Sequence, residues 1–145
     1  MNEMIGEWDK EPFLEMATVK WGFMSIKLAI YGSEESGYPH FHFFKNLKPE
    51  GGIPESYRSG GGCLAIESVN YFVHGGHKEK LDPKEIKGLI KFLNEKNRTF
   101  KGITNWEYIV GQWNDNNPEE KQLPLDIDIP DYKSDMDTIQ EKKDK

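Results

Sequence analysis

Met24, Ile26, Leu28 and Ile30 alternate with Ser25, Lys27, Ala29 and Tyr31. A period of two over eight residues puts one set on each side of a pleated strand and buries one side, which a helical period of 3.6 does not do. The run ends at GSEESGYP, a polar turn closed by Pro39, and PHFHFFK follows directly. Antiparallel pairing across so short a connection is the simplest topology, and it predicts a β-hairpin. With Phe41 and Phe43 in the same core layer as Met24, Ile26, Leu28 and Ile30, His40 and His42 fall on the opposite side with Lys27 and Tyr31. They are then accessible, unless the N-terminal arm or the C-terminal segment covers that side.

Further along, the period changes to that of helices. In LDPKEIKGLIKFLNEKN, Asp82 is placed as an N-cap, Pro83 at the first helical position and Glu85 to complete a capping box. Ile86, Leu89, Ile90 and Leu93 form the apolar face, with Lys84, Lys87 and Lys91 in a stripe opposite. TNWEYIVGQWN repeats the logic, with Thr104 as cap, Glu107 three residues on, and Trp106, Ile109, Val110 and Trp113 facing inward. Strands followed by helices, rather than alternating with them, indicate an α+β domain. The expected architecture is an antiparallel sheet of three to four strands, covered on one face by two helices.

Other segments are less regular. Residues 1–17 carry Trp8, Phe13, Leu14 and Met16 without clear periodicity, and their secondary structure is left open. The stretch at 46–62 has five glycines and Pro54 within 51–62 and reads as a mobile loop. In CLAIESVNYFVH, Leu64 and Ile66 have one parity and Val69, Tyr71 and Val73 the other, so a bulge or turn near 67–70 makes either one bent strand or a second hairpin. Residues 118–145 hold nine acids and five lysines, a net charge of −4, and are expected to form an acidic, largely extended or disordered tail behind a single domain at 1–117. Within that tail, Leu125, Ile127 and Ile129 alternate with acids, as in an edge strand or a linear motif that binds a partner's sheet.

With 145 residues, 36% hydrophobic and 12% aromatic, the chain has material for one core and is too apolar to be disordered throughout. Cys63 is the sole cysteine, so an intramolecular disulfide is excluded. The first residues lack a signal-peptide pattern, and the best apolar run, FMSIKLAIY, is short and broken by Lys27. A soluble, cytoplasmic protein without a membrane partner is expected.

All four histidines occur in pairs, His40 and His42 in H-x-H and His74 and His77 in H-G-G-H. Alternate residues of a strand project to one side, so both imidazoles of H-x-H can address one ion. His40, His42, His74 and His77 are therefore the candidate ligands for a divalent transition metal such as zinc, with Glu67 or Cys63 as further donors. The commoner explanation of such histidines is an ordinary sheet surface. Cys63 as a nucleophile needs a nearby histidine, and its plainer reading is a small buried residue. Lys84, Lys87 and Lys91 could bind anions such as a nucleic-acid backbone, although a solvated helix face accounts for the same pattern.

PHFHFF, the helix LDPKEIKGLIKFL and the TNWE start resemble a bacterial family of small domains of unknown function, in which a Pro-His-x-His strand precedes further strands, a helix and an Asn-Trp. The resemblance runs by order of elements over roughly residues 24–117. It implies a small cytoplasmic accessory protein, often encoded on mobile elements or in toxin–antitoxin-like gene pairs. His40, His42, Asn105 and Trp106 match the family's marked positions. The Gly-rich segment, HGGH and the acidic tail depart from it.

These readings favour a protein-binding or regulatory module over an enzyme without deciding between them, with homo-oligomerisation open through a sheet edge. The alternative is a metal-dependent hydrolase acting on phosphorylated or nucleic-acid substrates through the histidine cluster.

Overall fold

The computed structural model describes residues 13–21, 24–31, 38–47, 56, 60–73 and 75–140. The strands are β1 (Phe13–Trp21), β2 (Met24–Tyr31), β3 (His40–Leu47), β4 (Gly62–Ala65), β5 (Asn70–Val73) and β6 (Asp137–Gln140), and they lie side by side in chain order. Neighbours are antiparallel from β1 to β5, and β6 runs parallel to β5. The helices α1 (Pro83–Leu93) and α2 (Asn105–Asp115) lie between β5 and β6 in the chain. The class is α+β, as the segregation of periods indicated.

The β2–β3 hairpin has the expected parity, with Leu28 opposite Phe43 and Ala29 opposite His42. The switch near residue 67 resolves as a second hairpin, because 66–69 form a bend and Leu64 faces Tyr71 across β4 and β5. Two strands exceed the expected three to four. In β1, the register against β2 slips between Glu15 and Ala17, so positions facing Ile30, Leu28 and Ile26 are Leu14, Ala17 and Val19. The bulge moves these positions from even to odd numbers, and a scan for strict alternation loses the strand. The second, β6, lies in the segment read as a tail.

Ile26, Leu28, Ile30, Phe41, Phe43 and Leu64 make the floor of the main core. Ile86, Leu89 and Leu93 of α1 and Trp106, Ile109, Val110 and Trp113 of α2 close it from above. Both helices start as their sequences dictate. Asp82 accepts from the Glu85 N–H at 2.8 Å while Glu85 accepts from the Asp82 N–H at 2.9 Å, and Thr104 and Glu107 make the same reciprocal pair. Lys45 of β3 adds an ion pair to Glu85 at 3.0 Å and donates to the Lys80 carbonyl at 2.8 Å, fastening the start of α1 to the sheet.

The core continues past residue 117, which is therefore not its boundary. Trp113 donates its indole N–H to the Lys121 carbonyl at 3.0 Å, and Trp106 donates to the Ile127 carbonyl at 2.7 Å. Asn114 exchanges two hydrogen bonds with the Leu123 backbone, at 2.8 and 2.9 Å. Tyr132 and Met136 are then buried in the core itself, at 2% and 7% exposure. These anchors explain how an acidic, weakly apolar segment holds a path: burying a few large side chains and satisfying indole N–H groups fixes the chain between them. Residues 141–145, and most of the glycine-rich loop expected at 46–62, lie outside the described residues.

Tyr132 donates its hydroxyl to the Ala65 carbonyl of β4 at 2.5 Å, and burial pushes its pKa well above the ordinary tyrosine value. Tyr71 is also raised, first by burial and then by the Glu85 and Asp135 carboxylates, against the lowering effect of its bond to Leu81. A raised folded-state pKa means that the folded chain holds protons the unfolded chain releases, so this stabilisation is complete below about pH 10 and is lost as pH rises through the folded values. Thermal melts should therefore fall steeply in alkali. Tyr132→Phe should cost about 1–3 kcal/mol at neutral pH by leaving the Ala65 carbonyl without this donor, and should make the alkaline decline shallower. An equally steep decline in the variant would remove Tyr132 from the explanation.

Candidate metal centre

The β3–β4 register builds the site. His42 stands opposite Cys63 and His40 opposite Ala65, so two residues of β3 and one of β4 project to the side of the sheet opposite Phe41 and Phe43. Cys63 Sγ and His42 Nδ1 share a hydrogen bond at 3.4 Å. The ligand atoms of His40, His42 and Cys63 all lie within 4.8 Å of one another. Sequence reasoning admitted Cys63 only as an additional donor, because its role depends on cross-strand pairing across the 46–62 connection. The signal that finds it is the match of His42 to Cys63 once β3 and β4 are aligned.

This face is not accessible, contrary to the expectation for an uncovered sheet side. His40, His42 and Cys63 are exposed by only 1%, 0% and 1%, and Lys27 on the same side is also buried. The physical reason is that the second face carries its own ring cluster. His40 meets His42 at 5.1 Å between centroids, Phe72 at 4.8 Å and the Trp113 ring of α2 at 5.7 Å. Phe44 stacks on His42 at 6.3 Å, and Tyr38 stacks on Phe72 at 5.4 Å.

Backbone carbonyls orient two of the imidazoles. His40 Nδ1 donates to the Tyr38 carbonyl at 2.6 Å, so in the neutral ring the lone pair is on Nε2. His77 Nδ1 donates in the same way to the Gly60 carbonyl at 2.5 Å. A carbonyl on one nitrogen that fixes the other for coordination is the usual arrangement around metal-bound histidines. The His77 ring packs edge-on to His42 at 4.6 Å, adjoining the trio without joining it. His74 lies outside the described residues, and Glu67 is exposed on the bend after β4.

The glycines before Cys63 serve packing. Gly61 has φ +70°, in the left-handed region, and a Cβ on Gly62 would run into the Glu79 carbonyl and the Phe43 ring. Gly62 also faces Phe43 in the register, so its lack of a side chain is what lets β4 lie close enough to bring Cys63 to His42. Gly62→Ala should destabilise the fold by about 1–3 kcal/mol through overpacking, seen as a lower denaturation midpoint. An unchanged midpoint would mean that β4 has room to shift.

The other expected site residues do not converge here. Lys84, Lys87 and Lys91 remain on the exposed side of α1, where Lys91 pairs with Glu95 at 3.7 Å. Asn105 is a structural joint, accepting from Asn97 at 3.2 Å and donating to the Phe92 carbonyl at 2.8 Å, which ties the end of α1 to the start of α2. Leu125, Ile127 and Ile129 form no strand. Ile127 and Ile129 pack on the core, whereas Leu125 is 51% exposed.

Comparison with family models, curated proteins and solved structures finds no match to this chain. No helix among the described residues is long and apolar enough to cross a membrane.

Chemically, the trio combines two borderline nitrogen donors with one soft sulfur donor. A tetrahedral zinc site, with bonds of about 2.0–2.1 Å to nitrogen and 2.3 Å to sulfur, separates its ligand atoms by roughly 3.3–3.6 Å. The His42–Cys63 spacing of 3.4 Å is already in that range. The other spacings are no more than 4.8 Å. The same His42–Cys63 contact could activate a thiolate, but a nucleophile needs a path for its substrate, and both residues are fully enclosed.

Proposed function

We propose that this chain is a small protein-binding or regulatory module built around a transition-metal centre, with His40, His42 and Cys63 holding zinc. The observation that supports the reading is the convergence of three donor atoms within 4.8 Å on residues almost wholly shielded from solvent. Imidazole and thiolate suit zinc better than magnesium or calcium. Enclosure favours a stabilising centre over the hydrolase alternative, because the three donors are buried where a substrate has no path to the fourth coordination position. With the thiol proton released on binding, the ion would join β3 to β4 and add its binding energy to folding. A cytoplasmic accessory role, as the resemblance to mobile-element and toxin–antitoxin-like proteins implies, is compatible with such a module.

Elemental analysis of protein purified without an affinity tag should find close to one zinc per chain. His42→Ala and Cys63→Ser should each lower the content well below stoichiometric and lower the melting temperature of metal-loaded protein toward that of chelator-treated protein. Cobalt substituted for zinc should show thiolate charge-transfer absorption that Cys63→Ser abolishes. Metal content unchanged in both variants would sink the assignment. Phosphodiesterase turnover by the purified chain, lost with the metal, would restore the hydrolase.

A further inference from the structure

A cleft of about 600 Å³ opens between the end of α1, the start of α2 and residues 125–131, with none of the metal-centre residues in its lining. Its volume lies within the range of sites that enclose small ligands or a few peptide side chains. We infer that this cleft docks a basic segment of a partner protein, one in which lysines or arginines are interleaved with apolar residues.

The walls are set by the anchors that hold the C-terminal segment. Trp106 is buried, and its indole N–H holds the Ile127 carbonyl, so the chain after Pro124 is fixed against α2. Ile90, Ile127 and Ile129 line the cleft while packing on the core, and give it an apolar floor. Leu125 also lines it but keeps 51% of its surface in solvent, an uncovered apolar side chain at the mouth. This combination favours a partner that brings apolar side chains of its own.

Charge selects the partner further. Glu107, Asp126, Asp128 and Asp131 line the cleft, and among the described residues no lysine or arginine does. The three aspartates are exposed, with Asp131 sharing a surface contact with Lys133 at 3.5 Å. Glu107 is held in place by the Thr104 N–H at 2.8 Å. Four carboxylates around one apolar floor disfavour phosphates and acidic peptides, and attract cationic side chains whose methylene stems can lie along the floor. The inference supplies a partner class for the binding role proposed above, but it uses none of the residues of the metal centre.

The test uses the full chain as purified and a fluorescein-labelled peptide of alternating leucine and lysine, with a leucine–glutamate peptide of equal length as its counterpart. Fluorescence anisotropy at low salt should show the leucine–lysine peptide binding at least tenfold more tightly than the counterpart. Asp126→Asn with Asp128→Asn should weaken it about tenfold, and Leu125→Ser several-fold. Glu119→Gln with Glu120→Gln removes the same number of charges at exposed positions outside the cleft and should leave binding within about twofold. Equal weakening by the two double variants would reduce the effect to net charge and overturn the docking site, as would binding indifferent to all cleft substitutions. Zinc content in the same samples reports separately on the metal centre. A metal-free chain that still binds at the cleft would overturn the metal assignment and leave this one standing.

Discussion

The pairing of β3 with strands on both sides is the constraint from which the rest of the structure follows. Its register against β2 and β4 fixes which residues face the helices and which face away. Phe41 and Phe43 become floor for two helices, with Trp106 meeting Phe41 edge-on at 6.4 Å. The same register delivers His40, His42 and Cys63 to one point on the reverse side. A one-residue slip would exchange the two sets, turning Phe41 and Phe43 out of the main core and breaking the convergence of His40, His42 and Cys63. Fold and candidate chemistry are therefore specified by a single set of backbone hydrogen bonds.

The helices act as a rack for the segment that follows them. Two indoles and one asparagine reach out of α2 to backbone groups at residues 121, 123 and 127. A segment with few apolar residues is held because each anchor satisfies a polar group that burial would otherwise strand. Between anchors the acids stay in solvent, where they are cheapest to keep charged. The acidic cleft is a by-product of that division, with its walls fastened and its charges outward.

What the sequence revealed depended on how local the signal was. Both capping boxes lie within four residues of their own N-caps, and α1 and α2 start where Asp82 and Thr104 indicate. Alternation from Met24 to Tyr31 is equally local, and β2 occupies that span. β1 escaped because a bulge reverses its parity, and β6 because a four-residue strand beside an unrelated segment leaves no periodic trace of its own. At the candidate site, H-x-H is a local pattern, and it supplies two of the three residues that lie close together. Cys63 and the enclosure of the face depend on partners 20 or more residues away, which residue spacing does not encode. Asn105 and Trp106 serve as a joint between helices and an anchor for the chain beyond them.

β6 sits parallel to β5 at the far edge of the sheet, more than sixty residues later in the chain. A parallel neighbour cannot be reached by a hairpin, and here the crossover contains both helices. The edge of β5 must therefore wait for α1 and α2 to dock and for the following segment to thread across them. During synthesis, a nascent chain that stops short of Tyr132 has neither the hydroxyl that caps the Ala65 carbonyl nor the strand that covers β5. Its open edge is a template for another copy of itself. β6 thus covers the hydrogen-bonding edge of β5 only once both helices are in place, and until then β5 is the strand open to pairing.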